Sequence, residues 1–237
     1  MLDSPVRARL APLLDRVAQG LVRLRIGPMT LTLLGLALAV AAATAAAFAA
    51  WNWALVLWLV SRIPDGLDGP VARLCGRDSA FGGWADLTAD QTAYGAFVVG
   101  CAIGQPDARV ACIVLVFTYY LNGGSLLAYS AAAERVQAER PDERTFHFTR
   151  GLAEGTETIA AHALMALFPA HLATVAWVFA GMVVVTLLQR LCLAWKVLGD
   201  LGTRSDVPGL DDPPSGSDGS GEDQIGQPSA SEPPSEA

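Results

Sequence analysis

A chain of 237 residues that is 52% apolar is long enough for one domain of ordinary size, and its formal net charge is −7. That charge describes the end of the chain: Ser205 to Ala237 hold eight acids and no base, leaving 16 bases against 15 acids elsewhere. A basic nucleic-acid-binding surface is therefore excluded as the dominant theme, and the acidic balance says nothing of the core's partners. In chain order, the first segment, Ser4 to Ile26, sets Leu10, Leu13, Leu14, Val17 and Leu21 at helical spacing with arginines on the other side, the pattern of a helix lying in a membrane interface. Its charged start is too long for a secretory signal. Six apolar segments follow, at 29–50, 53–72, 83–103, 109–131, 152–169 and 171–197. A run of about 20 apolar residues crosses the ~30 Å hydrocarbon core as a helix.

The expected architecture is an all-α integral membrane fold of six transmembrane helices. An amphipathic juxtamembrane helix occupies 1–27, the spanning domain 28–200, and an acidic Pro/Ser/Gly-rich tail 201–237. The tail has too few large apolar groups to offset its ordering entropy and is expected to be disordered. Arginines cluster before the first span, in the second connection (Arg73, Arg77) and in the fourth (Arg135, Arg140, Arg144, Arg150), while Arg109 alone marks the other side. That bias places both termini in the cytoplasm. Cys75, Cys101, Cys112 and Cys192 have no ligand-like spacing and are expected to pack as small hydrophobes.

The informative stretch is Asp65 to Asp90, where Asp65, Asp68, Asp86 and Asp90 sit at or near the membrane. A carboxylate at the centre of a span costs about 2.5–3.5 kcal/mol, so four of them need compensation, and hard divalent cations bound through oxygen supply it most simply. On a helix, Asp65, Asp68, Gly69, Ala72 and Arg73 share an arc of about 140°, while Gly82, Asp86 and Asp90 form a ridge on the next. Two acidic faces are thus expected to meet across a hairpin. Small residues leave room for a diphosphate, and Arg73 offers it a planar donor fork. Pro64, Gly66 and Pro70 would otherwise mark only a helix end or kink.

These residues match D-x-x-D-G-x-x-A-R, eight residues, G-x-x-x-D-x-x-x-D at every fixed position, and the chain resembles the CDP-alcohol phosphatidyltransferase family (class I) over residues 20 to 197. The resemblance implies a cytoplasmic site in which two divalent ions, Mg²⁺ or Mn²⁺, are held by Asp65, Asp68, Asp86 and Asp90. It further implies that Asp90 is the catalytic base and that Gly69, Ala72, Arg73 and Gly82 line the CDP site. Thr32 stands in "PMTLT", where the family often has Pro-Asn-x-x-Thr, and its contact with cytidine is a weaker carry-over. The implied reaction moves a phosphatidyl group from CDP-diacylglycerol to a small polar alcohol with release of CMP. The reverse use of the family chemistry, a CDP-amino-alcohol acting on diacylglycerol, is the second reading. A divalent-cation transporter is disfavoured because Arg73 would repel the permeating ion. Family members are often homodimers, but no interface is legible here.

Arg150, Glu154 and Glu157 lie at the start of the fifth span, where intramembrane acids are functional candidates, and are expected either to position the acceptor or to pair at the rim. His162, within that span, is expected to bond to a neighbouring helix, and His147 and His171 lie near span ends. The acceptor's identity is not legible.

Overall fold

The computed structural model describes residues 3–139 and 155–203, with side chains placed over 11–132 and 155–195. Among these residues all the regular structure is helical: α1 (Asp3–Arg23), α2 (Pro28–Ala47), α3 (Trp51–Leu74), α4 (Ala80–Gly104), α5 (Arg109–Glu139), α6 (Gly155–Leu167) and α7 (Leu172–Thr203). Short 3₁₀ turns at Pro106–Ala108 and Pro169–His171 lead into α5 and α7. Three segments, Pro28–Ala47, Pro106–Ala132 and Pro169–Trp195, are long and apolar enough to cross a membrane. α3 carries Arg62, Asp65, Asp68 and Arg73, and the described part of α6 has only 13 residues. Large apolar side chains such as Leu33, Ile113, Phe117, Val178 and Leu188 are exposed on the outer surface, as expected of helices solvated by lipid tails.

The helices after α1 follow the six apolar segments with local differences. α2 stops before the expected end of its run because Phe48–Ala50 form the turn into α3, with Ala49 at φ 54° and the Ala50 N–H closing on the Ala45 carbonyl at 2.9 Å. Proline ends or kinks many helices, yet α3 continues through both Pro64 and Pro70. α7 runs to Thr203, so the first residues assigned to the tail are helical. The rest of the tail, Arg140, Arg144, His147, Arg150 and Glu154 lie outside the described residues, as does the side chain of Arg135.

α2 packs along both α3 and α4, and α5 pairs with α7. Small residues make the first contact possible. Ala39, Ala42, Ala43 and Ala46 of α2 are buried, and a methyl group on Gly100 or Gly104 of α4 would strike the carbonyl oxygen of Ala43 or Ala46. Lipid tails are as apolar as the helices, so close backbone packing of this kind is a main source of association in a membrane. The centre of the molecule is aromatic: Trp58, Phe97 and Tyr119 surround His162, whose Nε2 lies 2.9 Å from the Tyr119 hydroxyl. His162 therefore bonds across to α5, as expected. Trp58 Nε1 donates to the Ile159 carbonyl at 3.2 Å, tying α3 to α6. On the opposite flank Arg190 donates to Asn122 at 2.9 Å, a polar clasp between α7 and α5.

α1 rests on α3. Ala18 is buried with Leu31, Leu67 and Val71, and Leu14, Leu21 and Val22 pack around them. Leu13 and Val17, assigned to the same apolar face, remain exposed. The stripe is therefore divided: one edge grips the bundle and the other is left for an apolar surrounding.

Candidate active site

The turn between α3 and α4 decides how the two halves of the aspartate motif meet. Gly76 takes φ 60°, the left-handed conformation glycine adopts most cheaply, and the N–H groups of Gly76 and Arg77 close on the carbonyls of Arg73 and Ala72 at 3.2 and 2.9 Å. Three residues on, Ser79 caps α4 by accepting the Gly82 N–H at 3.1 Å. A helix stop and a helix start are thus fitted between Arg73 and Gly82, which gives the fixed spacing a structural reason.

The hairpin brings Asp65, Asp86 and Asp90 together. One carboxylate oxygen from each lies within 4.8 Å of the other two, a spacing that suits shared coordination of a cation. Divalent metals of the magnesium and manganese class prefer such all-oxygen donors, so the residues present fit the metal that the motif implies. Gly35 of α2 lets α3 approach closely at the level of Asp65: a Cβ there would sit 3.2 Å from the Ser61 carbonyl oxygen and 3.4 Å from the Asp65 nitrogen.

Asp68 stands apart from the other three. It is buried, its Oδ2 accepts the Thr32 hydroxyl at 2.7 Å, and its Oδ1 accepts the Gly69 N–H at 2.7 Å. Thr32 thus braces a carboxylate across from α2, with the Pro28 carbonyl at 3.2 Å as a second acceptor. Gly69 and Ala72 lie on the same helix, and Arg73 is exposed at its end, Nη1 coming 3.4 Å from the position of a Gly69 Cβ. Glu157, at the start of α6, lines an apolar groove with Ala160, Leu164, Val175 and Val178.

Removing the Thr32 hydroxyl should release Asp68. A hydrogen bond to a charged group contributes about 1.5–3 kcal/mol, and its loss leaves a buried carboxylate short of a donor. Thr32→Val is expected to lower activity about 10- to 100-fold and to lower the melting temperature, with Thr32→Ser restoring most of both. An unchanged rate in the valine variant would remove the brace.

Sequence reasoning passed over Arg62. Its Nη1 lies 2.9 Å from Asp90 Oδ1 and 3.5 Å from Asp65 Oδ1. Its guanidinium stacks 4.7 Å from the Trp58 ring centroid and 5.6 Å from that of Tyr94. The signal was present: an arginine within an apolar run, three residues before Asp65, carries the same membrane cost as the aspartates.

Comparison with known proteins agrees with this geometry. Residues 25–198 match the model of the CDP-alcohol phosphatidyltransferase family. The chain is 35% identical over 204 residues to the inner membrane protein YnjF of Escherichia coli, covering 85% of this chain and 98% of that one. It is 29% identical to the phosphatidylinositol phosphate synthase of Streptomyces avermitilis, covering 81% of each. Against the archaetidylinositol phosphate synthase of Pyrococcus horikoshii it is 30% identical, covering 82% and 97%. The fold is shared with Mycobacterium tuberculosis phosphatidylinositol phosphate synthase, solved with manganese and citrate and again with CDP-DAG bound. Each superposes with a TM-score of 0.64 at 21% identity, covering 77% and 78% of this chain and 88% and 94% of the other. Motif, hairpin and relatives converge, and the chain belongs to the CDP-alcohol phosphatidyltransferase family.

Proposed function

We propose that this enzyme transfers a phosphatidyl group from CDP-diacylglycerol to a small polar alcohol and releases CMP. The observation that carries the reading is the convergence of Asp65, Asp86 and Asp90 across the α3–α4 hairpin, inside the family's signature. CDP-DAG as donor is supported by its presence in a solved relative of the same fold. Two of the curated relatives are named as a phosphatidylinositol phosphate synthase and an archaetidylinositol phosphate synthase, which favours a polyol phosphate as acceptor.

In this reading Asp65, Asp68, Asp86 and Asp90 hold two divalent ions, Mg²⁺ or Mn²⁺. Bound there, such ions would neutralise charge on the diphosphate and on the departing phosphate. Asp90 accepts the proton of the acceptor hydroxyl as that oxygen attacks the phosphorus bearing diacylglycerol. Arg73 presents its fork to the diphosphate, and the bare faces of Gly69, Ala72 and Gly82 let the phosphates approach the helix backbone. Thr32 holds Asp68 from behind and stands near the cytidine end. Arg150, Glu154 and Glu157 contribute to the acceptor side. The six helices after α1 span the membrane, with both termini and the site on the cytoplasmic face, α1 in the interface, residues 28–200 as the catalytic domain and 201–237 as a disordered tail.

The test is direct. Purified enzyme with CDP-diacylglycerol and Mn²⁺ should release CMP when inositol phosphate is added, and should not do so after chelation. Turnover with glycerol phosphate or serine alone would reassign the acceptor. CMP formed only from a CDP-amino-alcohol and diacylglycerol would reverse the donor. No CMP from any pair would sink the reading.

A further inference from the structure

Arg62 lies inside the bundle, its side chain only 9% exposed. Its Nε donates to Ser61 Oγ at 3.2 Å, and the buried Ser61 hydroxyl donates in turn to the Trp58 carbonyl at 2.6 Å. The guanidinium carbon lies 4.7 Å from the Trp58 ring centroid, one turn back on α3, and 5.6 Å from that of Tyr94, one turn past Asp90 on α4. Planar cations stack on aromatic faces in this way. Trp58 is itself fixed. It is fully buried, its Nε1 donates to the Ile159 carbonyl of α6, and the rings of Phe97 and His162 each lie 4.7 Å from it. The plane of the guanidinium is therefore set from α3, α4 and α6 together.

From that plane Nη1 reaches Asp90 Oδ1 at 2.9 Å and, more loosely, Asp65 Oδ1 at 3.5 Å. Asp90 remains 30% exposed, so the contact holds its carboxylate without covering it. An arginine buried to this degree acts on its neighbours and not on a substrate. We infer that Arg62 is the positioning residue of Asp90: it grips one carboxylate oxygen from a fixed plane, stops the side chain from turning, and leaves the other oxygen to the reactants. Such placement matters more than the hydrogen bond itself, because displacing a reacting group by about 1 Å can cost about 100-fold in rate. Charge alone does not supply it. A lysine would bring the same charge on a flexible stem, with no plane to stack and no fork to aim.

This inference rests on reading Asp90 as a group that acts on the reactants, and a cycle of variants keeps the two apart. Wild type, Arg62→Gln, Asp90→Ala and the double variant are compared for CMP release and for equilibrium binding of CDP-diacylglycerol. Arg62→Gln is expected to lower kcat about 10- to 100-fold while donor affinity stays within about threefold of wild type. In the Asp90→Ala background the same substitution should cost less than about threefold, because no carboxylate is left to position. An arginine that served only the fold would lower both backgrounds alike, and that result would overturn the inference. Arg62→Lys is expected to lose most of the same rate; wild-type turnover in it would overturn the inference as well. The contact is also read without metal or donor. In chelator, the losses of melting temperature from Arg62→Gln and Asp90→Ala should be less than additive, and full additivity would mean that the pair does not form. Should Arg62→Gln fail to fold, Arg62→Lys carries the same cycle. Full activity in Asp90→Ala would overturn the reading of Asp90 and this role with it, whereas an essential Asp90 beside an independent Arg62 would overturn the role alone.

Discussion

Asp90→Asn is expected to reduce CMP release at least about 100-fold while CDP-diacylglycerol still binds within a few-fold of wild type. The size follows from what a positioned base contributes, about 10²–10⁴ in rate, together with partial loss of a metal oxygen. The separation between the two readouts follows from position. Asp90 projects into the three-carboxylate cluster, while Gly69, Ala72 and Arg73 of α3 and Gly82, two turns earlier on α4, are the residues assigned to the CDP end. An amide also keeps the volume and can still accept from Arg62, so the hairpin should survive. Donor affinity is read by equilibrium binding and rate by CMP release in the same preparation. Near-normal turnover would remove the assigned base, whereas a collapse of donor affinity with the remaining rate intact would recast Asp90 as a binding group.

The second large effect is structural. Gly104→Leu, and Gly100→Leu to a slightly lesser degree, should prevent α2 and α4 from packing as they do. Even the first carbon of a side chain would strike the Ala46 or Ala43 carbonyl oxygen, and backbone cannot swing aside as a side-chain tip can. Overpacking a tight contact costs about 1–3 kcal/mol, occasionally more, and here the whole side chain must be accommodated between two helices. A loss of melting temperature on the order of 5–10 °C in detergent is expected, taking about 2–4 °C per kcal/mol for a chain of this size. The same shift would carry Asp90 away from Asp65, because α2 touches α3 at Gly35 and α4 at Gly100, so activity should fall even where the variant remains folded. An equally stable and active leucine variant would contradict the close approach.

The aspartates were legible in the sequence because their spacing is a property of the helix alone. Residues four apart share a ridge whatever surrounds them, which placed Asp86 and Asp90 together before any tertiary contact was known. The position of Asp68 was less legible. Its partner Thr32 lies 36 residues away on another helix, and periodicity cannot report such a pairing. Asp68 accordingly turns toward α2 and away from the cluster. Arg62 was missed because arginines were weighed by the loops they occupy, a method that ignores one inside a span. The continuity of α3 through Pro64 and Pro70 was also hidden: proline argues locally for a break, and packing against α1 and α2 overrides it. The turn was legible in principle, since Gly76 and Ser79 are ordinary stop and start signals. The shortfall at α1 has a plain cause, because periodicity identifies an apolar stripe but not which edge of it a neighbouring helix will claim.

The division of the bundle has a consequence for how such a chain is made. α2 packs on both α3 and α4, and the residues that gather at Asp65, Asp86 and Asp90 are all synthesised by Gly104, before the α5–α7 pair exists. The later helices are clasped to each other through Arg190 and Asn122, and they join the earlier block through α4–α5 packing and through the bond from Trp58 to Ile159. The three carboxylates can therefore be gathered while the segment that later closes over Trp58, with Ile159 and His162, has yet to be made.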